Sequence, residues 1–307
     1  MRHGLQFREP VGNTGNVIDD LIATAELVRA AGVSSFWLAH AFEFDALSAL
    51  TLIGKVVPDI ELGTAVVPTY PRHPIVMAQQ ALTVQAASGG RLTLGIGPSH
   101  RAPVEEIFGY SFDGVAANMA EYLEVLLPAL ETGRVDFVGR HWTARTTSPI
   151  QVTGATACPV LLGAMGPRML ALAGAVADGT ITSKTGPRTI ETRIVPAITE
   201  AARQARRPAP RVAACLPFCL TDDPDAVFER AADEFAYSES LPSYRAMLDI
   251  EGVAHAADVA LIGDEATVTK KLRALADAGL TDYCARLVGS EEEQRRSIEF
   301  LGSVNPV

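Results

Sequence analysis

Arg91-Leu92-Thr93-Leu94-Gly95-Ile96-Gly97-Pro98-Ser99-His100 reads as a buried strand that ends on a glycine and breaks into a loop. Leu92 to Gly97 is too short for a helix, and Gly89-Gly90 cuts it off from the segment before it. That earlier segment, Pro74 to Ser88, opens on a proline suited to a first helical position, where its missing N–H is no loss. The segment after it, Val115 to Glu131, carries Tyr122, Leu123, Leu126 and Leu130 at helical spacing. A strand held between two helices is the repeating unit of a parallel sheet. Gly95-Ile96-Gly97 also begins like a dinucleotide fingerprint, but the third glycine would fall on His100. An open nucleotide-binding sheet therefore lacks its signature here.

The same alternation runs outward in both directions. Strands are expected at Gly4–Phe7, Val33–Ala39 and Ile60–Val67 before it, and at Pro159–Gly163, Gly179–Ser183, Val212–Leu220 and Asp282–Val288 after it. The first helix is expected over Val17–Ala31, with Val17, Leu21, Ala25 and Val28 on one face and Gly32 as its stop. Others are expected at Phe44–Val57, Pro167–Ala177, Glu191–Ala205, between the cap Asp264 and Gly279, and at Glu291–Leu301. Eight strands with interleaved helices predict an α/β fold, a (β/α)8 TIM barrel with insertions, as one domain over 1–307. Two stretches break the rhythm. About 137–157 holds Gly139, Pro149 and Gly154 and reads as a hairpin-like excursion; about 222–260 is mostly helical and too long for a simple crossover.

Of the 307 residues, 48% are hydrophobic and 20% charged, the balance of a globular enzyme. The formal net charge of -10 repels phosphate backbones and argues against a nucleic-acid partner. The N-terminus is too short in apolar residues for a signal peptide, and no run is long enough to span a bilayer, so no membrane partner and a cytoplasmic location are expected. Cys158, Cys215, Cys219 and Cys284 sit among apolar residues without metal-ligand spacing, so they are expected as buried small hydrophobes, and no metal site is expected.

In a parallel barrel, function gathers where strands end at the C-terminal face. His40 follows the second strand, Arg72 and His73 the third, Pro98, Ser99 and His100 the fourth. Histidine titrates near neutral pH, which makes His40 and His100 candidate proton carriers, although lone histidines also serve as hydrogen-bonded structural residues. Gly97 lets backbone approach a ligand closely, and the Ser99 hydroxyl can meet a phosphate or a ring edge. Gly163-Ala164-Met165-Gly166-Pro167 joins a strand end to a proline-started helix whose free N–H groups suit a phosphate. Ser183-Lys184-Thr185-Gly186 on the neighbouring loop offers a cation and hydroxyls to the same anion, though Lys184 reads equally as a solvated lysine. Arg72 and His73 are either anchors for a phosphate tail or a solvated pair at a helix start.

Phe36-Trp37-Leu38-Ala39-His40, Leu62-Gly63-Thr64-Ala65-Val66-Val67-Pro68, Arg72-His73-Pro74, Arg91 to Gly97, Gly163 to Pro167 and Gly263-Asp264 to Gly279 follow one another in this order. Together they resemble the bacterial-luciferase-like oxidoreductases. Within these, the chain is similar to the branch using the deazaflavin coenzyme F420 (8-hydroxy-5-deazaflavin), typified by methylenetetrahydromethanopterin reductases. The resemblance implies a cofactor ring across the barrel mouth, backed by a bulge with a non-proline cis peptide at Ala65-Val66. It also implies His40, Ser99 and His100 near the ring edge, and the cofactor phosphate on Gly163 to Pro167 and Ser183 to Gly186. The implied chemistry is hydride transfer between the deazaflavin and a small-molecule substrate, with His40 or His100 moving a proton. A homodimer through the faces around Ala46 to Ile53 and Ile75 to Ala86 is implied as well. Two departures limit the carry-over. Ala39 stands where several deazaflavin enzymes place an aspartate, and Pro98-Ser99-His100 stands where sugar-phosphate-oxidising relatives have a glutamate.

Three functions stay open on these residues. One is F420-dependent oxidoreduction, the second a monooxygenase using reduced flavin mononucleotide (FMN) and oxygen, the third a cofactor-free binding or structural barrel. Binding of one cofactor and not the other separates the first two; binding of neither selects the third.

Overall fold

The computed structural model describes residues 1–7 and 13–304. Its first half runs β1 (Arg2–Phe7), α1 (Val17–Ala30), β2 (Ser35–Leu38), α2 (Ala46–Val56), β3 (Glu61–Thr64), β4 (Val67–Pro68), α3 (Pro74–Ser88), β5 (Leu92–Gly97) and α4 (Val115–Glu131). A short antiparallel pair, β6 (Asp136–Val138) and β7 (Thr143–Arg145), forms the excursion expected near 137–157. The chain continues through β8 (Val160–Leu162), α5 (Pro167–Val176), β9 (Gly179–Ser183), α6 (Pro187–Thr189), α7 (Val195–Gln204) and β10 (Arg211–Leu220). The expected insertion carries α8 (Pro224–Glu239) and α9 (Pro242–Glu251), and the fold finishes with β11 (Leu261–Gly263), α10 (Glu265–Asp277), β12 (Asp282–Leu287) and α11 (Glu291–Ser303).

β1, β2, β3, β5, β8, β9, β10 and β12 pair side by side in parallel, and the β10–β9 and β1–β12 pairings close them into an eight-stranded barrel. Register is set by pairs such as Gly4 opposite Ser35, Leu94 opposite Val160 and Ala213 opposite Asp282. Three expected elements shift and one strand is new. The third strand is not continuous from Ile60 to Val67 but breaks at Ala65-Val66 and resumes as β4. The second helix starts at Ala46 rather than Phe44, because the Asp45 carboxylate accepts the Ser48 N–H and caps it. The sixth helical segment starts at Pro187, not Glu191, with a wide turn at Ile190–Ile194 before α7. β11 was not expected; β10 has ten residues, and its last three project far enough to pair with it.

Most of the core lies between the barrel and its helices, with Leu47, Leu50 and Ile53 of α2 and Met77 and Ala81 of α3 fully buried. A second apolar cluster fills the barrel itself: Trp37, Leu161, Ile181, Ala213, Cys215 and Cys284, with Ala65 and Val66 packed against it. Gly63 makes room for it, since a Cβ there would lie 2.0 Å from the Trp37 ring. All four cysteines are buried and unbridged.

Charges plug the N-terminal end of the barrel. Arg211 donates to Asp282 at 2.9 and 3.3 Å, to Glu61 at 2.9 Å and to Thr93 at 3.1 Å. Arg2 pairs with Glu61 at 2.6 Å and also with Asp282. Burial pushes the Asp282 carboxyl up, but hydrogen bonds and charge from Arg211, with Thr281 and Arg2, outweigh it and hold the group below the usual carboxylate range. Among the described residues, no helix is long and apolar enough to cross a membrane.

Candidate active site

The opposite end of the barrel is organised around the break in the third strand. Ala65-Val66 is a cis peptide. Its carbonyls are held from two strands: Gln6 Nε2 donates to Ala65 O at 3.2 Å, and the His40 backbone N–H donates to Val66 O at 3.3 Å. The Val66 side chain reaches the next strand ends. A Cβ built on Gly97 would lie 2.8 Å from Val66 Cγ2, and one on Gly163 would lie 3.6 Å from Val66 Cγ1. Ala65, Val66, Gly97 and Gly163 therefore meet above the barrel's apolar filling, with Ala65 and Val66 half-buried. The result is an apolar shelf at the mouth.

Beside that shelf, Gly163-Ala164-Met165-Gly166-Pro167 leads into α5. Thr180 Oγ1 lies 2.9 Å from the carbonyl oxygens of both Leu162 and Ala164, which fixes the turn. Gly166 is the N-cap, no side chain caps the helix, and a Cβ on Gly166 would meet nothing within 4 Å. The first-turn N–H groups of Arg168 and Met169 thus find no acceptor among the described residues, and they open onto free space. Unpaired N–H groups at the positive end of a helix suit an anion.

The neighbouring loop is arranged differently from its sequence reading. The N–H groups of Arg188 and Thr189 donate to the Glu251 carboxylate at 3.2 and 2.7 Å, and the Thr189 hydroxyl donates to it at 2.7 Å. A Cβ on Gly186 would lie 2.4 Å from that carboxylate. The helix start after Gly186 is therefore already capped by a negative group, which leaves α5 as the open one. Thr185 Oγ1 is committed to Thr182 Oγ1 at 2.7 Å. Lys184 is not a solvated lysine: it is buried, and its ammonium lies over the rings of Tyr244 and Phe235 in the insertion.

His40 lies at the rim opposite. Its Nδ1 accepts the Ala46 N–H at 3.2 Å, and its Nε2 lies 3.4 and 3.5 Å from the Arg72 nitrogens. Burial, then the Arg72 charge, push its pKa down against the opposing pull of Asp45, so the ring favours its neutral, proton-accepting form. Arg72 is itself tied to Asp45 and donates to Gln80 at 3.2 Å. His73 Nδ1 accepts the Ile75 N–H at 3.2 Å and caps α3, and its Nε2 lies 3.1 Å from Thr143 O. Neither Arg72 nor His73 is left as an anchor for a phosphate tail.

Ser99 takes a left-handed backbone, φ 62°, and delivers His100 to the insertion side, where its ring lies 5.4 Å from that of Tyr244. Burial, then the nearby Lys184 charge, push the His100 pKa down as well. The Tyr70 hydroxyl is buried with no partner among the described residues, a polar atom waiting for an acceptor or donor.

The family model for luciferase-like monooxygenases matches residues 3–282. The chain belongs to that family. Among its relatives, a 5,10-methylenetetrahydromethanopterin reductase of Methanopyrus kandleri is 27% identical, the match covering 91% of this chain and 92% of that protein. An F420-dependent glucose-6-phosphate dehydrogenase of Rhodococcus erythropolis is 27% identical over 83% of this chain and 80% of its own. The fold is also that of a type II Baeyer-Villiger monooxygenase of Pseudomonas putida solved with FMN, with a TM-score of 0.78, 16% identity, and 99% and 97% of the two chains covered.

For a luciferase-like protein, the shelf at Ala65-Val66 and the open start of α5 are two neighbouring features that a flat, phosphate-bearing cofactor needs, and the residues fit one. Sequence reasoning missed Asp45, Phe235, Tyr244 and Glu251, and placed Tyr70 after the third strand without giving it a role. Asp45 had a legible signal, a capping residue one position before an apolar helical run; the others lie in loops or in the insertion, where no spacing rule applies.

Proposed function

We propose that this protein is a coenzyme F420-dependent oxidoreductase acting on a small organic substrate. The observation that carries the reading is the contact of Val66 with Gly97 and Gly163, which joins an apolar shelf to an uncapped helix start. Sequence similarity over most of the chain favours the deazaflavin over FMN, because the FMN-bound relative is similar in fold alone.

When bound, F420 supplies a ring carbon that accepts or gives a hydride. The chain's residues do the rest. Ala65, Val66 and the interior cluster support the ring; Gly97, Pro98 and Ser99 bound its edge; Gly163 to Pro167 receive the phosphate on the N–H groups of α5. His40, held neutral by burial and Arg72, takes up a proton at the rim, and His100 does so on the insertion side. The exposed apolar residues Leu52 and Val56 of α2 and Val76 of α3 mark the face for a second copy, giving a homodimer.

Equilibrium titration tests the cofactor assignment. F420 is expected to bind with a dissociation constant below about 1 µM, with FMN at least about a hundredfold weaker. The opposite order selects the FMN monooxygenase, and binding of neither removes both enzymes from consideration.

A further inference from the structure

The rim of the mouth carries an apolar patch that the core leaves uncovered. Phe42 is 68% exposed, Ile107 60% and Tyr110 47%. Phe42 lies two residues beyond His40 in the loop after β2. Ile107 and Tyr110 belong to residues 98–114, the loop after β5 that also holds Ser99 and His100. The rings of Phe42 and Phe108 meet across these two loops, their centroids 6.2 Å apart. Tyr110 and Phe112 lie against Tyr70 at 6.2 and 5.8 Å, and Thr69, beside Tyr70, donates its N–H to Gly97 O at 3.0 Å. The patch is therefore continuous with the strand ends around the Ala65-Val66 shelf.

Packing does not account for these side chains. Of residues 101–114, Val104 alone is buried, so the rings of this loop contribute little to the core. Clustered apolar side chains left in water mark a surface that something covers. The surroundings narrow what that is. Both arginines of the loops at this rim are matched: Arg101 pairs with Glu105 and lies 3.5 Å from Asp113, and Arg72 is tied to Asp45. An anion finds no free cation there. Glu43, Glu105, Glu106 and Asp113 on the same loops repel an anionic lipid surface. A second copy seated on the rim would close the mouth that a substrate must enter. One more observation favours a small ligand: at the foot of the patch, the buried Tyr70 hydroxyl has no partner among the described residues. Tilted aromatic side chains offer faces and edges to another uncharged ring.

We propose that Phe42, Ile107, Phe108 and Tyr110 form an outer subsite for an uncharged, ring-bearing end of the substrate, whose reacting end lies over the shelf. This rests on the oxidoreductase reading above and adds the class of substrate to it. The substrate is a molecule that reaches past the cofactor ring and ends in an apolar ring system. Phe42 and Phe108 are then specificity residues, touching the end away from the reacting carbon. A contact made equally with substrate and transition state lowers KM without raising kcat. Replacing both rings therefore raises KM at least about tenfold for such a substrate and leaves kcat within about twofold.

NMR of the full chain labelled at isoleucine δ1 methyl groups, with I107V to assign the signal, tests this. The probes are 2-methoxynaphthalene, an uncharged ring system, and methyl glucoside, its polar counterpart. The naphthalene is expected to shift the Ile107 signal saturably, and the glucoside to leave it unmoved. F42S/F108S should weaken the naphthalene at least about tenfold, and F42Y/F108Y should hold it within about threefold. V138S, at an exposed apolar position on β6, should leave it unchanged. An unmoved Ile107 signal, equal affinity in F42S/F108S, or a shift caused by the glucoside overturns the proposal. So does a wild type that sediments as a dimer while F42S/F108S sediments as a monomer, which makes the patch an interface between copies. Adhesion to phosphatidylcholine vesicles that F42S/F108S loses overturns it as well. F420 affinity of F42S/F108S should stay within about twofold, and a loss of about tenfold would make the rings cofactor contacts instead. If the wild type does not bind F420, the cofactor reading fails, while the naphthalene titration still reports on the patch.

Discussion

The two ends of the barrel use their polar groups in opposite ways. At the N-terminal end, Arg211, Arg2, Glu61, Asp282 and Thr93 satisfy one another, drawing residues from five separate strands into one closed network. At the C-terminal end, the hydroxyl of Tyr70 and the first N–H groups of α5 are left without hydrogen-bond partners among the described residues. A group whose hydrogen bonds are complete contributes to stability, whereas one left incomplete at the mouth of a barrel is available to a ligand. The same barrel thus separates holding itself together from doing chemistry.

Mutating each end breaks or sharpens that contrast. The largest expected effect on folding is at Arg211. Arg211→Met leaves Asp282 and Glu61 without their shared cation, and urea unfolding should show a loss of roughly 3 kcal/mol. F420 affinity of the fraction that stays folded should be unchanged. A loss under about 0.5 kcal/mol would make the network an ordinary surface cluster. His40→Ala tests the other end: kcat with a verified substrate should fall about a hundredfold or more while the unfolding midpoint barely moves. Full turnover in that variant removes the proton role of His40.

A smaller effect follows from pH. The Asp282 carboxyl titrates below its unfolded value, so the unfolded chain binds the extra proton first as pH falls. Its contribution is complete above about pH 4, the unfolded carboxylate range, and disappears as pH drops through the lower folded value. Melting temperatures measured from pH 6 to pH 3 should fall toward the acid end, and less steeply in Asp282→Asn. The smallest effect is at Glu251, the carboxylate that already caps the chain after Gly186. Glu251→Ala should cost about 1 kcal/mol, as lost helix caps do, and leave F420 affinity unchanged. A gain in F420 affinity would mean that the capped N–H groups compete for the cofactor's phosphate.

The barrel was legible in the sequence because its signals are local: apolar runs such as Leu92 to Gly97, stops such as Gly89-Gly90, and helix openers such as Pro74 and Pro167. The strand ends that face the mouth followed from that alternation. The break in the third strand had no local signal, since Ala65-Val66-Val67 continues the small and β-branched run without a proline or glycine at the break, and it was reached through family resemblance alone. What the sequence hid was direction and partnership. Lys184 and Gly186 belong to one short loop, yet the left-handed turn at Lys184 aims its side chain at the insertion, and Gly186 meets a carboxylate from α9. The Arg211 network joins residues as far apart as Arg2 and Asp282, pairings that only the closure of the barrel creates.

Amide hydrogen exchange with and without F420 tests the division between the two ends most directly. Saturating F420 should slow exchange at residues 65–70, 97–100 and 164–169, including Arg168 and Met169, and leave residues around Glu61, Arg211 and Asp282 unchanged. Protection produced by FMN but not by F420, or protection spread over the N-terminal end of the barrel, would contradict the account.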